Sequence, residues 1–224
     1  MQRSFVECGD LAGEGLACRR GERLVFARLD FRLAAGEALL LTGANGSGKS
    51  SLLRLLAGLL APAAGHLSWG GRPLARDPAA WHAALHYVGH LDATKPALSP
   101  REMLLDWAAL RNPAAASAIT AALAAFGLAS VADWPCRWLS AGQRRRLALA
   151  RLLAAPAPIW LLDEPTAALD SDGEARLAAA IAEHRGRGGR VAVATHQPLD
   201  LAAAHEIRLD AYAASPEDAL SALW

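Results

Sequence analysis

"EALLLTGANGSGKSSLLRLLAG", residues 37–58, decides how this chain folds. Residues 37–43 are a short, nearly all-apolar run, as expected of a strand buried on both faces of a parallel sheet. Residues 48–60 repeat leucine at helical spacing. Between them the turn fits the pattern G-x-x-x-x-G-K-[ST], with Gly43, Ala44, Asn45, Gly46, Ser47, Gly48, Lys49 and Ser50 in order and Ser51 behind. Glycines at 43, 46 and 48 let backbone N–H groups turn inward around phosphate oxygens. The helix start adds unpaired N–H donors and a partial positive charge. Lys49 then reaches the β- and γ-phosphates, and the Ser50 hydroxyl suits Mg²⁺. A plain glycine-rich turn is the bland alternative, and the strand, the helix and the full pattern together weigh against it.

Two more apolar runs, "PIWLLDE" (158–164) and "RVAVATH" (190–196), predict further buried strands, and residues 174–185 a helix with Ser171 as its cap. Residues 22–35 alternate, with Leu29, Phe31 and Leu33 on one face, which predicts an antiparallel strand. Residues from about 98 to 155 read as all-helical, punctuated by Pro100, Pro113 and Pro135. The expected architecture is one α/β domain with a mixed sheet, an N-terminal antiparallel β subdomain and an inserted helical subdomain. Its expected division is a core of residues 1–90 and 156–224, with helical residues 91–155.

Asp163 and Glu164 fall at the C-terminal edge of an apolar strand, where open α/β sheets bind ligands. Asp163 suits the Mg²⁺ shell through water, and Glu164 can polarise an attacking water as general base. His196 ends a third strand, within reach of a γ-phosphate, although such a histidine is more often structural. "LSAGQRRRLALARLLAA", residues 139–155, reads as a helix capped by Ser140 with Leu147, Leu149 and Leu152 on its apolar side. Its first turn also offers phosphate the Ser140 hydroxyl, close approach at Gly142 and the helix dipole. The sequence leaves open whether Arg144, Arg145 and Arg146 face solvent or a neighbouring protomer.

The composition narrows the function classes. The 224 residues suffice for one substantial core. No run approaches the ~18–20 apolar residues of a membrane span, and no signal peptide is expected. A net charge of +1 argues against a dedicated nucleic-acid binder. Three widely spaced cysteines suit reduced thiols, not a disulfide framework or a zinc site. Lys49 and Lys95 are the two lysines in a chain that otherwise uses arginine, which marks Lys49 as a place where a compact point charge is wanted.

Taken together, these motifs resemble those of ABC-type ATPases, P-loop NTPases that energise ATP-binding-cassette transporters. The resemblance covers nearly the whole chain: "GANGSGKS" is similar to the Walker A loop and "LSAGQ", with Ser140, Gly142 and Gln143, to the signature motif. "IWLLDEPTAALD" resembles Walker B with its catalytic glutamate and D-loop, and "ATHQ" the switch histidine. The resemblance implies ATP and Mg²⁺ as ligands, with Lys49, Glu164 and His196 catalytic. It implies a homodimer that sandwiches ATP, with Asp170 across the dimer interface, and integral membrane subunits as partners. Within the superfamily the chain is similar to the ATP-binding subunits of cytochrome c maturation heme exporters, the CcmA type, through its short length, "YVGHLDATKPALSPREML" and "CRRGERLVFARLDF". That implies heme-handling proteins as indirect partners and a peripheral place on the cytoplasmic face of the inner membrane.

Two departures from the family pattern stand out. His90 occupies the place of the Q-loop glutamine that touches Mg²⁺ and water; a neutral imidazole could substitute, whereas a protonated one repels the metal. No aromatic stands near residues 16–20 to stack on adenine, which leaves Arg19 or Arg20 for that role, against a plain exposed turn. His82, His86 and His90 are spaced like a metal ladder, but "LHYVGH" reads as a strand and loop, not a helix. Trp107, Trp134 and Trp138 are expected in the helical core, with a groove wall for a membrane subunit, Lys95 at its rim, as the alternative. The competing functions are an ATPase for another exporter, a soluble ABC ATPase acting on DNA or ribosomes, and a purely structural dimerisation module. The last two lack support: tandem cassettes and long insertions are missing, and Lys49 and Glu164 are intact.

Overall fold

A computed structural model describes residues 5–111, 116–196 and 201–215; Pro113 and Gln197 lie outside them. The chain divides into two compact units. The first takes Met1–Tyr87, Pro158–Asp163 and His184–Trp224, the second Val88–Ala157 and Glu164–Glu183. Residues 164–183 thus group with the helical residues.

Two sheets build the first unit. β1 (Leu11–Arg20) and β2 (Arg23–Leu33) form an antiparallel hairpin in which Leu11 faces Leu33 and Arg20 faces Arg23. Leu29 and Leu33 are fully buried while Arg28, Asp30 and Arg32 stay exposed, so the expected alternation is present. It breaks at Phe26 and Ala27, both buried, where the register shifts and Arg28 takes a φ of 56°.

β3 (Ala38–Thr42) lies between β8 (Arg190–Ala194) and β9 (Ala204–Arg208) in a second sheet. β4 (Ala64–Trp69) and β5 (Arg72–Pro73) extend the hairpin sheet in the order β2-β1-β4-β5. β6 (Leu85–Val88) and β7 (Ile159–Asp163) complete the second sheet, ordered β6-β7-β8-β3-β9, whose β7–β8, β8–β3 and β3–β9 pairs are parallel. All five residues of β7 and of β8 are buried, which is why residues 159–162 and 191–194 read as apolar runs, with the charged Asp163 and Arg190 buried at their ends.

α1 spans Lys49–Leu56, shorter than the sequence suggests. Gly58, at a φ of 71°, closes it: its N–H donates to the Leu55 carbonyl and the Leu59 N–H to that of Arg54, a Schellman ending. α2 (Pro78–Ala84) starts on Asp77, whose side chain accepts from the Ala80 N–H.

The second unit is built on α3 (Pro100–Ala109), α4 (Ala116–Ala125) and α5 (Ala141–Ala154), which pack on one another. Leu104, Ile119, Leu123, Phe126 and Leu147 are buried within it. Ser99 and Glu102 form a capping box at α3, with Pro100 in the first turn where its missing N–H costs nothing. α6 (Ser171–Gly186) begins differently from expectation. Asp170, not Ser171, caps it by accepting from the Gly173 N–H at 2.9 Å.

The tryptophans correct a further expectation. Trp134 and Trp138 are 51% and 63% exposed, so neither packs a core. Trp107 is half-buried, with the Arg151 guanidinium 5.3 Å from its ring.

Candidate functional site: a glycine cradle and a capped helix turn

In the first unit the glycines of residues 43–51 behave as their spacing requires. Gly43, Gly46 and Gly48 have φ of 129°, 83° and 108°. At Gly48 a Cβ would stand 2.8 Å from Val25 Cγ1 and 2.9 Å from Phe26 Cδ1, so β2 presses on the turn as α1 begins. Ala44, Asn45 and Gly46 are exposed at the crest, and the Ser47 N–H donates to the Ala44 carbonyl at 3.1 Å.

Lys49 is 7% exposed and folds back on the loop, where Nζ donates to the carbonyls of Gly43 at 2.7 Å and Ala44 at 3.0 Å. The Ser50 hydroxyl donates to Asp163 Oδ1 at 2.9 Å, which joins the start of α1 to the end of β7. Ser51 is half-buried one residue on. Asp163 is 2% exposed. Burial pushes the nearby Tyr87 phenol up; its hydrogen bond with Arg54 opposes this and the Asp163 charge adds to it.

Two carboxylates here escaped the sequence reading. Asp210 accepts the Ala44 N–H at 3.1 and 3.3 Å through its two oxygens, and Thr42 Oγ1 donates to Glu206 at 2.6 Å. Glu206 sits on β9 and Asp210 just beyond its C-terminal end, so the rule that flagged Asp163 could also have flagged Asp210. Glu206 lacks that signal, because nothing in the sequence places β9 beside β3. His196 lies just past β8 and is exposed.

The second unit brings together the other motif residues. Ser140 and Gln143 form a full capping box: the Gln143 N–H donates to Ser140 Oγ at 3.1 Å, and the Ser140 N–H to Gln143 Oε1 at 2.8 Å. A Cβ on Gly142 would stand 2.9 Å from the Ala168 carbonyl, so this turn and the segment after Glu164 are in touch. Asp170 caps α6 on that segment, with Arg146 Nη2 3.9 Å away. Glu164 and Ala168 hold left-handed backbones, with φ of 46° and 63°.

The three arginines part company. Arg144 donates to the Leu139 carbonyl at 2.6 Å, and Arg146 faces Asp170 and Asp172. Arg145 is 2% exposed, in neither of the surroundings the sequence left open. Its guanidinium donates to the carbonyls of Gly89 at 2.8 Å, Glu164 at 2.6 Å and Pro165 at 3.2 Å, and to Asp92 at 3.2 Å. No sequence signal marked it out from its neighbours.

Ser50 and Asp163 supply the hard oxygen donors that Mg²⁺ prefers, and Mg²⁺ keeps most of its own waters, so a two-residue site fits it. Ser47 Oγ, buried and without a hydrogen-bond partner among the described residues, is a further oxygen left to be satisfied at the cradle. His90 is exposed in the second unit. Among the described residues no group of three or more His, Cys, Asp or Glu could hold a metal, so the histidine ladder falls away.

A family profile described as "ABC transporter" matches residues 26–167. The chain belongs to the ABC transporter family. Among curated ABC relatives, the Rhodospirillum rubrum protein "Cytochrome c biogenesis ATP-binding export protein CcmA" is 58% identical over 93% of this chain and 89% of its own length. The protein of the same name from Paramagnetospirillum magneticum is 54% identical over 92% and 96%. A solved structure, a putative ABC transporter ATP-binding protein from Pyrococcus furiosus, superposes with a TM-score of 0.82 at 23% identity, over 92% of this chain and 100% of that one. The chain is therefore a CcmA-like ABC ATP-binding subunit and an ATPase, with the mixed α/β fold its motifs predict. ABC subunits of this kind bind nucleotide, dimerise and work with membrane components. No helix among the described residues is long and apolar enough to cross a membrane.

Proposed function

We propose that this subunit hydrolyses MgATP as a homodimer and energises an export step of cytochrome c biogenesis, moving heme or releasing a heme-loaded partner. What carries the nucleotide half of this reading is the Ser50–Asp163 hydrogen bond of 2.9 Å beside the buried Lys49, which gathers hydroxyl, carboxylate and ammonium at one glycine turn. The cargo half rests on the export role in the names of relatives 58% and 54% identical.

ATP lies with its β- and γ-phosphates on Lys49 and on the loop formed by Gly43, Ala44, Asn45, Gly46, Ser47, Gly48 and Ser51. Ser140 of the partner subunit and Gly142 of the partner subunit close over the γ-phosphate, with Gln143 and Asp170 lining that interface. Ser50 and, through water, Asp163 would hold Mg²⁺, with His90, the residue at the Q-loop position of the family pattern, as a further candidate ligand. When bound, the ion neutralises charge on the phosphate oxygens. Glu164 takes a proton from the attacking water, and His196 donates to the γ-phosphate. The exposed Trp134 and Trp138 face a membrane subunit on the cytoplasmic side of the inner membrane. Residues 1–90 and 156–224 work as the nucleotide-binding core, and residues 91–155 as the helical subdomain that carries the partner contact.

Glu164→Gln is expected to bind ATP, trap an ATP-bound dimer and lose ~10²–10⁴-fold in turnover. Near-normal turnover would refute the role of Glu164. Deleting the gene should remove c-type cytochromes and spare other heme proteins. Normal c-type cytochromes would discard the export reading and leave the ATPase standing.

A further inference from the structure

A guanidinium 2% exposed to solvent is rarely a bystander, because burying its charge requires partners on most of its donors. Arg145 finds them on two separate stretches of chain. Nη1 reaches the Gly89 carbonyl and the Asp92 carboxylate, one on each side of His90. Nη2 and Nε reach the carbonyls of Glu164 and Pro165. All of these residues belong to the second unit, and Arg145 sits in the second turn of α5, just after the Ser140–Gln143 cap.

The bonds to 164 and 165 are to backbone, so they fix where the chain runs at Glu164. Glu164 needs such fixing. Its φ of 46° is a conformation that non-glycine residues seldom hold unless their surroundings enforce it. Arginine suits the task because its planar fork sends donors in several fixed directions at once, which one ammonium cannot do.

We infer that Arg145 is a positioning residue, one that locks the backbone of Glu164 and the two flanks of His90 to the first turns of α5. The inference rests on the reading of Glu164 as general base. It adds that the aim of this base and the place of His90 are set by one side chain and move together. Arg145 acts on Glu164 through the backbone carbonyl.

The test is Arg145→Lys in the full-length chain, beside wild type and Glu164→Gln. Lysine keeps the charge but cannot span both stretches. Turnover should fall roughly 10–100-fold, as expected when a reacting group is misplaced by about an ångström. KM for ATP should stay within about threefold, because the cradle is not involved. Amide hydrogen exchange should quicken at residues 89–92 and 164–167 while α5 stays protected.

Unchanged turnover, or turnover, ATP affinity and melting temperature falling in step, would overturn the proposal. If Arg145→Lys does not fold, Asp92→Ala, at a site 25% exposed, should lower turnover a few-fold and quicken exchange at 89–92; no change in either overturns it. A wild type without ATPase activity would instead refute the functional reading. Exchange at the two stretches would then still show whether Arg145 holds them.

Discussion

The glycine cradle and the turn that opens α5 are both glycine-bearing helix starts suited to phosphate, yet they are held by opposite means. The cradle borrows its braces from far away: Asp163 is 113 residues from Ser50, and Asp210 is 166 residues from Ala44. The α5 turn closes on itself, Ser140 and Gln143 meeting three residues apart. A long-range brace ties the ligand loop to the sheet, so the loop is only as ordered as β7 and β9. A local box survives wherever the helix does. Ser140 accepts through its oxygen and keeps its O–H as a donor, so capping the helix leaves a hydrogen bond to give.

The most forceful way to break this comparison is Asp163→Asn. The cradle should lose its charged brace and the carboxylate proposed to face Mg²⁺ together, and ATP turnover should fall about 100-fold or more. Turnover near wild type would mean that the brace is ornamental and the cradle as self-contained as the α5 turn.

A second measurement asks whether the first unit depends on pH in a way the second does not. His184 stacks on Trp160, ring centroids 3.9 Å apart, and burial lowers its pKa to about 4. Unfolded, it titrates near its ordinary value of 6.5. The unfolded chain thus binds the extra proton first as pH drops. Stability is complete above about pH 6.5 and declines down to about pH 4. Between about pH 7 and pH 5 the loss from this group is about 2 kcal/mol, and His184→Phe should flatten that part of the profile in denaturant titrations. An equal slope in the variant would clear His184 of the effect.

The smallest expected effect belongs to the local box. Ser140→Ala removes the cap and should destabilise by about 1 kcal/mol. Adding Gln143→Ala should then cost less than it does alone, because the two side chains serve one box. Strict additivity of the two losses would show that the reciprocal bonds are independent.

The same contrast governs what the sequence could reveal. β3, β7, β8, the cradle and the Ser140 cap were legible because each is written in consecutive residues: an apolar run, a glycine spacing, a serine three places before a glutamine. Arg145 was not. In a row of three arginines nothing local says which one is buried, since that is decided by carbonyls at 89, 164 and 165. Trp134 and Trp138 misled for the opposite reason, large apolar area being a bet on burial that an exposed surface can refuse. Asp170 displaced Ser171 as cap by one residue, a shift within the ordinary uncertainty of helix ends.

The two bonds from Lys49 to the Gly43 and Ala44 carbonyls bear on how a nucleotide arrives. A triphosphate does not meet a bare ammonium; it must outcompete two neutral oxygens already in place. The number of hydrogen bonds on Lys49 need not rise when it does. What rises is the charge of the acceptor, and bonds to an ionised oxygen are roughly twice as strong as neutral ones. In the proposed role, the lysine would work as an exchange contact that favours the more negative ligand, so a diphosphate with less charge within its reach would displace the loop's own oxygens less readily than a triphosphate.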